Sequence, residues 1–119
     1  MKFALIITGS PITTPACQSA VDFCRAALAG GHDIYRIFLL DGAAQLAHQH
    51  CGNRALQSEW QTLQKNHQLD IVACVNSARD HHISQINEKT NLASGFVISG
   101  MGQLIDASAN ADRLITFGG

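Results

Sequence analysis

The chain has 119 residues, 46% of them hydrophobic and only 14% charged, and eight Lys and Arg against nine Asp and Glu give a net charge of −1. That length builds one domain, residues 1–119, burying roughly two-thirds of the surface the unfolded chain exposes. No basic run supplies the cationic stripe that displaces counterions, which argues against direct, tight binding of RNA or DNA.

The thin surface charge points to burial in an assembly. Met1-Lys2-Phe3 leads into a strand-like run rather than a signal peptide, and no apolar stretch approaches the ~20 residues of a membrane span. The four cysteines are spaced irregularly, unlike a secreted disulfide framework. The expected compartment is the cytoplasm, with reduced thiols, no membrane, no metal and no cofactor.

Phe3 to Thr8 reads as a short strand ending in the turn Gly9-Ser10-Pro11. Thr14-Pro15 reads as an N-cap with proline at the first helical position. Cys17, Ala20, Val21, Cys24, Ala27 and Leu28 then recur at helical spacing, and Gly30-Gly31 stops the helix. A second strand is expected over Ile34 to Leu40, with Asp41-Gly42 turning the chain. Residues Ala43 to Gly52 fit no single element. Asn53 caps a helix carrying Leu56, Trp60 and Leu63 on one side and ending near Asn66-His67.

The third strand is expected over Leu69 to Val75. Ser77-Ala78-Arg79-Asp80 then resembles a capping box opening a short helix. A strand fits Phe96-Val97-Ile98, bent around by Gly95, Gly100 and Gly102. Met101 to Asn110 reads as a last helix and Arg113 to Phe117 as a last strand. Such alternation predicts a single-domain three-layer α/β/α sandwich with a mainly parallel sheet of about five strands.

Cys74 is the candidate catalytic residue. It closes an apolar strand, and ligands and reacting groups gather at the carboxyl ends of parallel strands. A helix start nearby and Arg79 would stabilise a thiolate. Against this stands the ordinary reading of a small apolar residue finishing a buried strand.

The other candidates are weaker. Cys17 and Cys24 share an apolar helical stripe with Val21 and Leu28, which is core packing. His48-Gln49-His50-Cys51 carries zinc-type ligands crowded into four residues with no completing motif, so a solvated loop is expected. Of the adjacent His81 and His82, at most one faces Cys74. The loop Gly9 to Thr14 occupies the position of a phosphate loop without a glycine-rich pattern, and a turn plus a cap explains it. The terminal Gly118-Gly119 is an ordinary tail.

Together these segments resemble the DsrE/TusD family of persulfide sulfur carriers, most like its TusD branch. The resemblance rests on the start Met1 to Gly9 and on the Ile-x-x-Cys-Val-x-x-Ala-Arg pattern within Leu69 to Arg79. It rests also on Gly95-Phe96-Val97-Ile98-Ser99-Gly100-Met101-Gly102-Gln103-Leu104 and on the close Asp112 to Phe117. Where such chains usually follow the cysteine turn with paired arginines and a glycine, this one has Arg79-Asp80-His81-His82.

The resemblance implies a sulfurtransferase in which Cys74 accepts sulfane sulfur as a persulfide and passes it on. It implies TusB-like and TusC-like partner subunits, a TusA-like donor and a TusE-like acceptor, with 2-thiolation of the tRNA wobble uridine as the end use. The alternatives are a DsrE-type carrier in sulfur oxidation, a non-catalytic scaffold subunit, or a flavodoxin-like FMN or nucleotide binder at the Gly9 loop.

Overall fold

The computed structural model describes residues 1–83, 85–86 and 89–118. The alternating pattern gives β1 (Lys2–Ile7), α1 (Ala16–Ala29), β2 (Asp33–Leu39), a 3-10 helix (Asp41–Ala47), α2 (Arg54–His67), β3 (Ile71–Cys74) and α3 (Val75–Asp80). There follow β4 (Gln85–Ile86), β5 (Lys89–Thr90), β6 (Val97–Ser99), α4 (Gly102–Asn110) and β7 (Arg113–Phe117). Five strands form one parallel sheet in the order β6-β3-β2-β1-β7. The antiparallel pair β4–β5 lies apart from it and was not expected from the sequence.

Side-chain alternation along the strands splits the interior into two unequal parts. Leu5 and Ile7 of β1, Ile37 and Leu39 of β2, and Ile71 and Ala73 of β3 enter a large core beneath α1, α2 and the 3-10 helix. Ala4, Phe38 and Val72 point the other way into a small cluster closed by Ala107 of α4, with Ile6, Tyr35 and Leu104 half-buried around it. The layers are those expected, but the second face carries little cover: α4 has nine residues, where α1 and α2 have fourteen each.

The heavy face is built by amphipathic helices. On α1 the buried Cys17, Ala20, Val21, Cys24 and Ala27 form one stripe. Trp60 of α2 is fully buried, and its indole Nε1 donates to the Cys17 carbonyl at 3.2 Å. Asn53 caps α2 as expected, its Oδ1 accepting from Leu56 N at 3.2 Å while its Nδ2 donates to the Pro11 carbonyl. Replacing it with alanine should lower stability by about 1 kcal/mol, read as a denaturant-midpoint shift at unchanged slope.

The light face depends on an irregularity. The β1–β2 register steps from Phe3↔Ile34 to Ala4↔Arg36, so Tyr35 is an extra residue on β2. The bulge brings the neighbours Tyr35 and Arg36 to the same side, that of α4. Tyr35 Oη donates to Asp106 at 2.6 Å. The Arg36 guanidinium reaches Asp106 at 2.9 Å, the Gln103 carbonyl at 3.1 Å and Asp70 at 2.5 Å. Tyr35 and Arg36 together hold the Asp106 carboxyl below the usual carboxylate range. This network ties α4 to the sheet where apolar packing is thin.

Several boundaries differ from the sequence reading. Proline stands at the N-cap of α1 rather than at its first turn, with Thr14 Oγ1 accepting from Ala16 N. The first half of the ambiguous stretch Ala43 to Gly52 belongs to the 3-10 helix, packed by Ala43, Ala44, Leu46 and Ala47. The capping box is not formed. α3 starts at Val75, directly after Cys74, and Ser77 lies inside it with its Oγ accepting from Asp41 N at 2.9 Å.

Candidate active site at Cys74

Cys74 ends β3 and pairs with Ser99 of β6. It follows Val72 by two residues and therefore faces the same side of the sheet, the light one under α4. Its relative exposure is 7%. The thiol meets the thioether of Met101, with Sγ and Sδ 3.9 Å apart. Met101 is the N-cap residue of α4 and is itself 47% exposed. The candidate nucleophile thus lies at the carboxyl edge of the sheet, as expected, in contact with the half-exposed Met101 side chain.

Arg79 occupies the last turn of the six-residue α3 and is exposed. His81 and His82 do not join Cys74. They follow α3, where His82 turns the chain at φ 59°, and line a cleft of about 410 Å³ shared with His48, His50, Cys51 and Asp80. Gln45 braces that cleft: its Nε2 lies 3.3 Å from His81 Nδ1, and its Oε1 accepts from Ser10 Oγ at 3.2 Å. Two motifs that looked unrelated in sequence therefore meet, away from the thiol.

The expected solvated loop at 48–51 is better ordered than that. Gln49 and His50 are exposed, but Cys51 is buried and His48 bridges to Leu92. His48 Nδ1 accepts from His50 N at 2.9 Å. Among the described residues no group of three His, Cys, Asp or Glu side chains is placed to hold a metal ion.

Burial, then the neighbouring His50 and His82, push the His48 imidazole below its ordinary value. The unfolded chain consequently takes up a proton that the folded chain resists, and stability present above pH ~6.5 is lost as pH falls through the lowered value. Asp80, which faces the same cleft, is the one carboxylate lining it among the described residues. Urea midpoints should fall from pH 7.5 to pH 5.5, and the fall should be smaller in His48→Gln.

The remaining cysteines are held in the packed core. Cys17 and Cys24 are fully buried, and burial pushes each thiol up to about 12. Cys17 Sγ also donates to the Gly9 carbonyl. The polar groups of the Gly9 to Thr14 loop are partly bonded within it, where Ser10 Oγ accepts from Ile12 N and Thr14 Oγ1 donates to the Ser10 carbonyl. Gly119 of the terminal pair lies outside the described residues.

Met101 is the site residue that the sequence did not single out. The visible signal was its setting, Gly100-Met101-Gly102, where a Cβ added at either glycine would meet nothing within 4 Å. Among the described residues no helix is long and apolar enough to cross a membrane.

Comparison with known proteins extends over nearly the whole chain. A chain of Allochromatium vinosum named as a DsrE sulfurtransferase is 36% identical over 129 residues, covering 99% of each. A Pseudomonas aeruginosa chain named sulfurtransferase TusD homolog is 34% identical over 130 residues, covering 100% of this chain and 98% of its own. The crystal structure of the ychN protein from E. coli superposes with a TM-score of 0.79 at 18% identity, covering 98% of this chain and 100% of that one. A protein of unknown function from Methanobacterium thermoautotrophicum gives 0.69 at 14% identity, covering 96% and 97%. These two share the fold. Residues 1–117 match the DsrE/DsrF-like family, and the chain belongs to that family.

Proposed function

We propose that the protein is a sulfur carrier, with Cys74 accepting sulfane sulfur as a persulfide and passing it to a partner protein. The observation that carries this reading is the contrast among the cysteines. Cys17 and Cys24 are locked, protonated, in the α1 stripe. Cys74 stands at the sheet's carboxyl edge against the half-exposed Met101 side chain. The names of the two full-length relatives support sulfur transfer as the chemistry.

The step is an exchange with no net oxidation. The Cys74 thiolate attacks the outer sulfur of a donor persulfide, R–S–SH. A sulfur–sulfur bond to Cys74 forms, the donor's S–S bond breaks, and the donor leaves as a thiolate with the proton remaining on the transferred sulfur. An acceptor thiolate repeats the attack on Cys74–S–SH.

In the fuller form of this reading, the whole chain is one domain acting in the cytoplasm with TusB-like and TusC-like subunits. It receives sulfur from a TusA-like protein and gives it to a TusE-like one, toward 2-thiouridine at the tRNA wobble position. The relative named a TusD homolog supports this branch, and the exposed Val97, Ile105 and Leu114 suit burial in an assembly. A DsrE-type carrier in sulfur oxidation is the alternative within the same chemistry.

The test is intact mass after incubation with glutathione persulfide. One sulfur atom should be gained on Cys74 and lost again with reductant. A second reading, a non-catalytic scaffold subunit, is favoured by the low exposure of the thiol, and a wild type that gains no sulfur would select it.

A further inference from the structure

Taking Cys74 as the sulfur-bearing thiol, a contradiction arises between its 7% exposure and a reaction that requires a donor's persulfide to reach it. In-line exchange lines up three sulfur atoms, and the product is one sulfur longer than the thiol. The protein must open somewhere.

The backbone around the thiol is poorly suited to opening. β3 is paired on both sides, to β2 and β6. α4 is fastened by the Arg36 guanidinium to the Gln103 carbonyl and Asp106, and by the Tyr35 hydroxyl to Asp106. Arg36 is in turn paired with Asp70 just before β3, so helix and strand are tied to one residue. The side chain that meets the thiol is a flexible one. The Met101 side chain is unbranched, half in solvent, and flanked by glycines where an added Cβ would meet nothing within 4 Å.

We propose that Met101 is a displaceable gate over Cys74. In the resting protein its thioether covers the thiol. Rotation about its own side-chain bonds, with α4 left in place, uncovers the thiol for the donor and then for the acceptor. Met101 is a positioning residue: it controls which reagents reach the sulfur and leaves its ionisation alone. Methionine suits this role because several rotamers cost little, and a β-branched residue on the same backbone would have fewer.

Alkylation of Cys74 tests the gate without any persulfide. Rates with iodoacetamide would be followed by peptide mass for wild type, Met101→Ala and Met101→Leu across pH 6 to 10. If the uncovered rotamer holds roughly a tenth of the molecules, removing the cover raises the rate about tenfold. Met101→Leu, which restores bulk, should stay within about twofold of wild type. The midpoint of the pH–rate curve should be the same in all three.

An unchanged rate in Met101→Ala overturns the gate, as does a rate gain that comes with a shifted midpoint. Sulfur uptake by the wild type, measured separately, reports on the carrier reading. A protein that loads sulfur yet shows no effect of Met101→Ala keeps the carrier and loses the gate. One that shows the alkylation effect but never loads sulfur keeps the gate and loses the carrier.

Discussion

Cys74→Ser should abolish sulfur loading while leaving the fold in place. Serine fits the space of the thiol, and the backbone at the end of β3 is held on both sides by neighbouring strands. The burial of a hydroxyl in place of a thiol costs about 1–2 kcal/mol, small enough for a cooperative transition to survive. Intact mass after persulfide treatment should then match the untreated protein, whereas the wild type gains one sulfur. Loading retained by Cys74→Ser at the wild-type level would remove Cys74 from the mechanism.

The other cysteines serve as the internal control. A thiol raised to about 12, as for Cys17 and Cys24, is ionised at pH 7 in about one molecule in 10⁵. Cys17→Ala and Cys24→Ala should therefore load normally. Cys51 is buried beside the histidine cleft, on a different contact set from Cys74, and Cys51→Ala should load normally too. A mass gain that followed Cys51 would relocate the chemistry to the cleft.

Much of this architecture was legible because strand and helix periodicities in the chain are clean. The α1 stripe, the Asn53 cap and the β7 limits Arg113–Phe117 are all local features, dictated by residues within a few positions of one another. The misreadings occurred where a distant partner decided the outcome. Ser77 looked like a cap because its side chain is short and polar, but its hydroxyl is taken by Asp41 N, thirty-six residues away. Spacing allowed at most one of His81 and His82 to face Cys74, and α3 with a left-handed turn delivers both to the cleft of His48 and Cys51.

Met101 could not be found from spacing. Its meeting with Cys74 needs β6 beside β3 and α4 starting immediately after β6, which is a property of the sheet order. The bulge at Tyr35 leaves only a faint trace in sequence, the three-residue spacing of Ile34 and Ile37, which enter the same core. Its consequence is functional geometry: two adjacent residues serve one face and fix the helix that carries the gate.

Trp60→Ala should produce the largest loss of stability and the smallest change at the thiol. Trp60 is the largest fully buried side chain, on the heavy face between α2 and α1, and its indole satisfies the Cys17 carbonyl. Truncation leaves a cavity and removes the indole hydrogen bond, for about 3–5 kcal/mol. That is a large fraction of the roughly 5–15 kcal/mol available to a domain, so urea and thermal midpoints should drop steeply. Cys74, however, lies on the opposite side of the sheet, covered by Met101 from α4. Well below the unfolding transition, native Trp60→Ala should therefore alkylate at Cys74 within about twofold of wild type, because sites that share no partners couple weakly. A rate that rose in step with the lost stability would mean that the thiol is reached only by global opening. In that case cover by Met101 is not what limits access, and the two faces of the sheet do not divide stability from reactivity.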